Sequence, residues 1–474
     1  MPAKNKSIFI GDDGKSLAFT FILVCSLFLL WGVCNGMIDV MDKHFQEELN
    51  LSKSQSAWVQ FAHYLGYFLM SIPAGWLATK LGYKGGIITG LLIVAAGGLW
   101  FIPATEINAM VHTGRVSPTT AFVGFLAGVC LIATGLTFLE TIANPYTTVL
   151  GGKAYAATRI NLAQSCNGFG WIFGPILGSM YFYGTDAQGH STGSQTLYIP
   201  YAGIAVVVLV LAAVFYFARI PDIKTKDDYH LDDAAPGASH SIWSHPHFVM
   251  AVAAQFFYVA AQAGIFSFFI NYMTSELPPI PTSFQGAVTT VSTHAGLLQG
   301  WLSGWFETAA SGAISLSNKG ASNLASLGFV CFLAGRFSGA AILKKFSAHK
   351  VLGIYGTLDV IATFVVFLKL GWLSVAAVFL SYFFMSIMFP TIFALGIYGL
   401  GVRAKRASSY IVMAIMGGAI LPKLMGYVAD KYDMSRGFIV PAACFVIVAF
   451  YGFNWPRLAN AESLRSEVAP TLHG

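Results

Sequence analysis

Stretches of about twenty mostly apolar residues, each long enough to cross a bilayer as a helix, recur along the whole chain and exclude a water-filled surround. They lie near 17–41, 55–78, 85–105, 119–149, 159–183 and 198–219. Six more lie near 248–275, 317–343, 350–370, 373–400, 408–430 and 437–455. Only 10% of the 474 residues are charged and 56% are hydrophobic, whereas a soluble domain needs about a quarter charged to solvate its surface. Mean hydropathy is +0.65. The expected architecture is therefore all-α and integral to the membrane, with twelve transmembrane helices.

Charge places the chain across the membrane. With both termini cytoplasmic, the inner segments hold Lys80, Lys84, Lys153, Arg159, Arg219, Lys344, Lys345, Lys350, Arg403, Lys405 and Arg406, plus the basic residues of the tails. The outer loops hold Lys43, Lys53, Arg115, Lys319, Lys369, Lys431 and Arg436. This asymmetry follows the positive-inside rule. The net charge of +6 is accordingly a topology signal, and no nucleic acid is expected as a partner. The six cysteines fall inside apolar runs without CxxC spacing, so neither a metal site nor a disulfide framework is indicated. No cleavable signal peptide is evident, because the run from Leu17 is too long and ends in Asn35 and Asp39.

Residues 221–247 form the longest polar stretch and read as a cytoplasmic linker. It separates an N-terminal six-helix bundle, 1–220, from a C-terminal one, 248–474. An insert at 278–320, with Trp301, Trp305 and Glu307, reads as an outer loop carrying an interfacial helix. A thirteenth span there would put the downstream basic clusters outside. The halves echo each other. GWLATKLGYKGGIITG (75–90) matches GAAILKKFSAHKVLGIYG (339–356) in order of small residues, basic turn and next helix. GWIFGPILG (170–178) similarly echoes GAILPKLMG (418–426). Internal repeats of this kind are a transporter signature.

Ionisable side chains deep in a membrane cost several kcal/mol unless paired or hydrated, and are functional candidates by default. Glu140 lies well inside its span, followed by Thr141, Asn144 and Pro145. It can bind hydroxyls or take a proton; the structural alternative is an ion pair or hydrogen bond that merely holds helices. Asp39 stands nearer a helix end, where solvation competes with function. Desolvation penalises a charged carboxylate, the property a proton carrier needs, whereas sodium needs several oxygens around a charged one. Asn161, Gln164 and Asn167 share one helix face, and Gln255, Tyr258 and Gln262 form a second stripe. Amides both donate and accept, which suits a hydroxylated ligand, although interhelical bonding explains a single stripe equally well. Trp31 and Phe389 are candidate stacking faces. Arg336 reads as structural. Lys423 has three readings: partner of Asp39 or Glu140, substitute for a coupling cation, or contact for an anionic substrate.

The first echo resembles the loop between helices 2 and 3 of the major facilitator superfamily, with Gly75, Lys80, Gly82 and Lys84 at the motif's positions and Thr79 where its usual Asp stands. Trp31-Gly32 with Asn35 and Asp39, Leu139-Glu140-Thr141 with Ala143-Asn144-Pro145, and Asn161-Leu162-Ala163-Gln164 with Asn167 resemble the fucose–proton symporter family. So do Pro390-Thr391-Ile392-Phe393 with Leu395-Gly396, and Ile411-Val412-Met413 with Gly417-Gly418. Departures are the longer insert, Gly36 and Ile38 in place of polar residues near Asp39, and the added Lys423.

The resemblance implies two pseudo-symmetric six-helix bundles, the major facilitator fold. It implies a monomeric, multi-pass transporter of the bacterial inner membrane, surrounded by lipid. Its substrate would be a monosaccharide, taken up with a proton or sodium by alternating access and without a cofactor. Asp39 and Glu140 would couple, with Asn35, Glu140, Asn144, Asn161, Gln164, Asn167, Gln255, Tyr258, Gln262 and Phe389 about the sugar. Two alternatives stay open. Gly174-Pro175 with Gly178 resembles a motif of antiporters in the same superfamily, which fits a drug or metabolite exporter. An ion-independent sugar facilitator is the other. An enzyme would need a reactive constellation, and a sensor an output domain; neither is evident.

Overall fold

The computed structural model describes residues 9, 16–150, 156–183, 193–220, 242–278, 286, 304–308, 314–343, 345–398 and 404–459. The chain is helical almost throughout. Its first half comprises α1 (Ala18–Glu48), α2 (Lys53–Ser56), α3 (Trp58–His112), α4 (Pro118–Val149), α5 (Ala156–Tyr181), α6 (Gly193–Thr196) and α7 (Tyr198–Phe217). The second comprises α8 (Pro246–Ser267), α9 (Phe269–Ser275), α10 (Asn318–Leu343), α11 (Ala348–Phe367), α12 (Trp372–Met385) and α13 (Met388–Ile397). It ends with α14 (Ala404–Met413), α15 (Gly417–Lys431), α16 (Met434–Gly437) and α17 (Ile439–Leu458).

Ten helical stretches among the described residues are long and apolar enough to cross a membrane. The two other expected spans are the first part of α3 and α5. The amides at 161, 164 and 167 dilute the apolar content of α5. Two expected spans join in α3, which breaks at Gly82 with φ 70° and ψ 177°, a conformation open mainly to glycine. Beyond that break, Lys84 Nζ donates to the carbonyls of Tyr216 and Ala218 at 2.8 and 3.0 Å, capping the exposed end of α7 with a cation. The 221–241 part of the linker lies outside the described residues, as does most of the insert. The described end of the insert is a short hairpin, β1 (Phe306–Thr308) antiparallel to β2 (Ile314–Leu316).

Two compact units partition the chain. One comprises 1–37, 62–174 and 194–238, the other 38–61, 175–193 and 239–474. In the first, α1 and α5 touch backbone to backbone. A Cβ at Gly170 would stand 2.2 Å from the Leu29 carbonyl oxygen, and one at Gly32 2.1 Å from that of Asn167. Gly174 meets Gly36 in the same way. Small residues of this kind let helices approach closely where lipid supplies no hydrophobic drive. Helices α3 and α4 repeat the device, Gly97 against Ile132 and Gly135 against Val94. The rings of Phe101 and Tyr201 stack at 3.9 Å.

In the second unit two spans are interrupted. The span formed by α12 and α13 breaks at Ser386–Ile387, which frees carbonyls that must find donors. Tyr258 Oη donates to Met385 O at 2.9 Å, and Arg336 Nε to Ser386 O at 3.3 Å. The span from α14 to α15 passes through a short 3₁₀ turn at Ala414–Met416. There a Cβ on Gly417 would lie 2.0 Å from Phe256 O. A polar knot ties the ends of three further elements. Lys369 Nζ pairs with Asp433 Oδ2 at 2.9 Å and Glu276 Oε2 at 3.2 Å, and Asp433 Oδ1 accepts from the Arg436 amide at 2.8 Å.

Two outcomes follow from this packing. Gly170→Leu is expected to destabilise the chain by about 1–3 kcal/mol or more, since only backbone could give way. Gly124→Ala, with nothing within 4 Å of the added Cβ, is expected to be tolerated; thermal unfolding in detergent compares them. For Asp433, partial burial pushes the pKa up, but the hydrogen bond and charge of Lys369 and the Arg436 amide outweigh it and hold the pKa below its ordinary value. Burial pulls Lys369 down, yet its bonds to Asp433 and Glu276 leave it raised. Stability from Asp433 is thus complete above the ordinary carboxylate range of about pH 4 and lost as pH falls through its lowered pKa. That from Lys369 is lost only on raising pH beyond its own pKa, above about 10. Lys369→Met is expected to flatten the acid limb of the unfolding profile.

Candidate functional site

Each unit holds its own polar cluster. In the first unit, Glu140 sits half-buried near the end of α4, within electrostatic reach of the buried Tyr67 phenol. Tyr67 accepts a 2.7 Å hydrogen bond from Trp31 Nε1, so the indole expected to stack on a ligand is oriented by a phenol. Asn35 is buried, and its Oδ1 has no partner among the described residues. Asn167 Nδ2 donates to the Phe28 carbonyl at 3.2 Å. That amide thereby braces α5 on α1 where the glycines bring the two together. Gln164, one turn before it, is half-buried. The side chains of Asn144 and Asn161 lie outside the described set.

The second unit carries two groups. Gln255 and Tyr258 are fully buried on α8; Tyr258 is tied to the α12 break, while both amide atoms of Gln255 have no partner among the described residues. Phe389 lies beside Tyr258, their rings 6.4 Å apart and tilted by 63°. Gln262 is half-buried two turns along from Gln255. Arg336 is held by Ser386 O and lies 4.9 Å over the Phe332 ring, a structural placement. Asp359 on α11 is fully buried with neither oxygen partnered among the described residues.

The other group centres on Asp39. Gln60 Nε2 donates to its Oδ1 at 2.9 Å, and Oδ2 is buried without a partner among the described residues. Asp42, one turn on, is fully buried. The span expected to end near 41 in fact continues as helix to Glu48, because Asp42, His44 and Gln46 face protein instead of solvent. Gln46 and Asn271 exchange hydrogen bonds, and Gln46 also reaches Ser56 Oγ at 2.8 Å. At the start of α2, Asp430 accepts from the amides of Lys53 and Ser54 at 3.0 and 2.8 Å, an anion on a helix N-terminus. Lys423 lies with its ammonium 3.6 Å over the Trp58 ring, a cation–π contact.

Sequence reasoning missed Asp42 and Asp359. Both carry the signal that picked out Glu140, an ionisable group inside an apolar run. Asp42 fell just past the assumed end of its span, and Asp359 stands in the middle of one.

An all-helical chain of this hydropathy, with paired bundles of spans, interrupted helices and carboxylates buried within them, has the architecture of a secondary transporter. The sequence matches the Major Facilitator Superfamily over residues 19–316, and the chain belongs to that superfamily. It is a membrane transporter with the twelve-helix fold the resemblance implied. It is 33% identical to the L-fucose-proton symporter of Escherichia coli (strain K12), over 93% of this chain and 94% of that protein. To a glucose/galactose transporter of Brucella abortus biovar 1 (strain 9-941) it is 30% identical, over 95% and 98%. The crystal structure of the transporter FucP in the outward conformation superposes with a TM-score of 0.63, at 33% identity, over 92% of this chain and 98% of that one.

Gln255 discriminates between a ligand-binding amide and a packing one. If it meets ligand, Gln255→Leu is expected to weaken half-saturation by substrate by about tenfold, one or two lost hydrogen bonds. The same change should leave the unfolding temperature equal or higher, since an apolar isostere removes a buried unsatisfied amide. Loss of stability with unaltered half-saturation would make it a packing residue.

Proposed function

We propose that the chain takes up a monosaccharide by cation symport. The observation that carries this reading is Gln255, a fully buried amide beside Tyr258 and Phe389 whose hydrogen-bonding capacity is unfilled among the described residues. Such a group suits a hydroxylated ligand, since each sugar hydroxyl both donates and accepts. The relatives, a fucose–proton symporter and a glucose/galactose transporter, support the same substrate class. A hexose, 6-deoxyhexose or N-acetylhexosamine fits this chemistry.

Buried carboxylates support coupling. Asp39 and Glu140 both lie within spanning helices, where a charge is tolerated only if neutralised or paired. Each could discharge its cation as the site changes the side it faces, with both termini cytoplasmic and the chain in the bacterial inner membrane. The exporter reading drew on Gly174, and the contact of Gly174 with Gly36 gives that residue a packing reason instead.

Uptake by reconstituted vesicles tests the proposal. Labelled glucose, galactose, fucose and N-acetylglucosamine are offered under a proton gradient, a sodium gradient and neither. Accumulation of one sugar with one ion is the expected result; equilibration without accumulation would indicate a facilitator, and no uptake would overturn the sugar reading. Glu140→Gln is expected to abolish accumulation while sparing sugar exchange. Full gradient-driven accumulation by that variant would remove Glu140 from coupling.

A further inference from the structure

We propose that Asp39 and Asp42 together form a sodium site, completed by the hydroxyl of Ser267. The two aspartates stand at i and i+3 on α1, so their side chains leave one face of the helix. Asp42 is fully buried, and neither of its oxygens has a hydrogen-bond partner among the described residues; the same is true of Asp39 Oδ2. Ser267, the last residue of α8, brings its Oγ beside Asp42, outside hydrogen-bonding geometry. That hydroxyl is also fully buried and unpartnered among the described residues. All four residues concerned, Asp39, Asp42, Gln60 and Ser267, belong to the same compact unit.

This arrangement is poorly explained as packing. A buried carboxylate oxygen without a donor is among the least tolerated groups in a protein, and here three such oxygens, both of Asp42 and one of Asp39, lie on adjoining side chains. No described Lys, Arg or His forms a salt bridge with either. Gln60 donates to Asp39 Oδ1 and its amide also comes beside Asp42, outside hydrogen-bonding geometry; the Tyr183 and Tyr382 phenols lie within electrostatic reach of the pair. One shared proton would satisfy a single donor–acceptor pair and leave other buried oxygens orphaned. A small hard cation takes several oxygens at once, carboxylate and neutral together. Two carboxylates around one monovalent ion leave a single net negative charge, towards which the Gln60 amide points. Gln46, one turn beyond Asp42, lines a cleft of about 280 Å³, which brings solvent within a helical turn of the site.

Whether the ion binds is independent of the symport reading; what its binding drives rests on that reading. The test uses the purified full chain in detergent, without sugar, titrated with sodium, potassium or choline chloride at constant ionic strength while thermal unfolding is followed. A saturable rise in unfolding temperature with sodium alone is expected. Asp42→Asn should weaken it by about tenfold or more, and Ser267→Ala by roughly threefold to tenfold, as loss of one oxygen of several. If Asp42→Asn does not fold, Asp42→Glu and Ser267→Ala carry the same comparison. No response to sodium, an equal response to potassium, or wild-type sodium binding by these variants would overturn the site. A response to pH alone would overturn it also and give the pair to a proton. Sugar counterflow with equal ions on both sides tests the transport reading separately. Exchange of sugar without a sodium response overturns the sodium site alone.

Discussion

Inside hydrocarbon a polar group has no water to fall back on, so every donor and acceptor must be matched by protein or by cargo. Close helix approach is what makes such matching possible. Where Gly32 and Gly170 let α1 and α5 touch, Asn167 comes within reach of the Phe28 carbonyl. With a larger residue at either glycine the helices would part, and the amide would lose its acceptor. The same dependence runs through the second unit, where Gly417 presses on the Phe256 backbone next to the irregular turn of its span.

Interrupted helices add a second demand. The break at Ser386–Ile387 leaves carbonyls that an unbroken helix would have used, and Tyr258 and Arg336 take up two of them. Tyr258 is thereby fixed beside Gln255, whose amide has no partner among the described residues. Satisfied groups hold the frame; under the function proposed above, unsatisfied groups are left for what the frame receives. That division separates Asn167 and Arg336, which brace, from Gln255, Asp39 and Asp42, which retain unfilled capacity among the described residues.

Much of this was legible before any coordinates. Twelve apolar runs, the basic turns and the repeated glycine motifs implied the fold, because span length and charge asymmetry are local properties of a chain in a bilayer. Glu140 was legible as a candidate, since an ionisable residue inside an apolar run is conspicuous wherever it points; Asp39, nearer a helix end, stood out through the family resemblance. Asp42 was not legible, because hydropathy ended its span near residue 41, just short of it, while the helix runs on to Glu48. Asparagines and glutamines carried the least information of all. The spacing of Asn167 and Gln255 was read alike, yet one is spent on a backbone carbonyl and the other is not.

The sequence by itself determined that the chain is a bundle of membrane helices in two related halves, with carboxylates held inside them. Those features depend on composition along one dimension. Only the tertiary structure decided that Lys423 rests on Trp58, that Asp430 caps α2 from far along the chain, and that Asp42 and Ser267 meet. Each of these is a pairing between residues on different helices. Rotation of a helix about its axis chooses such partners, and no periodicity in a nearly all-apolar helix specifies that rotation.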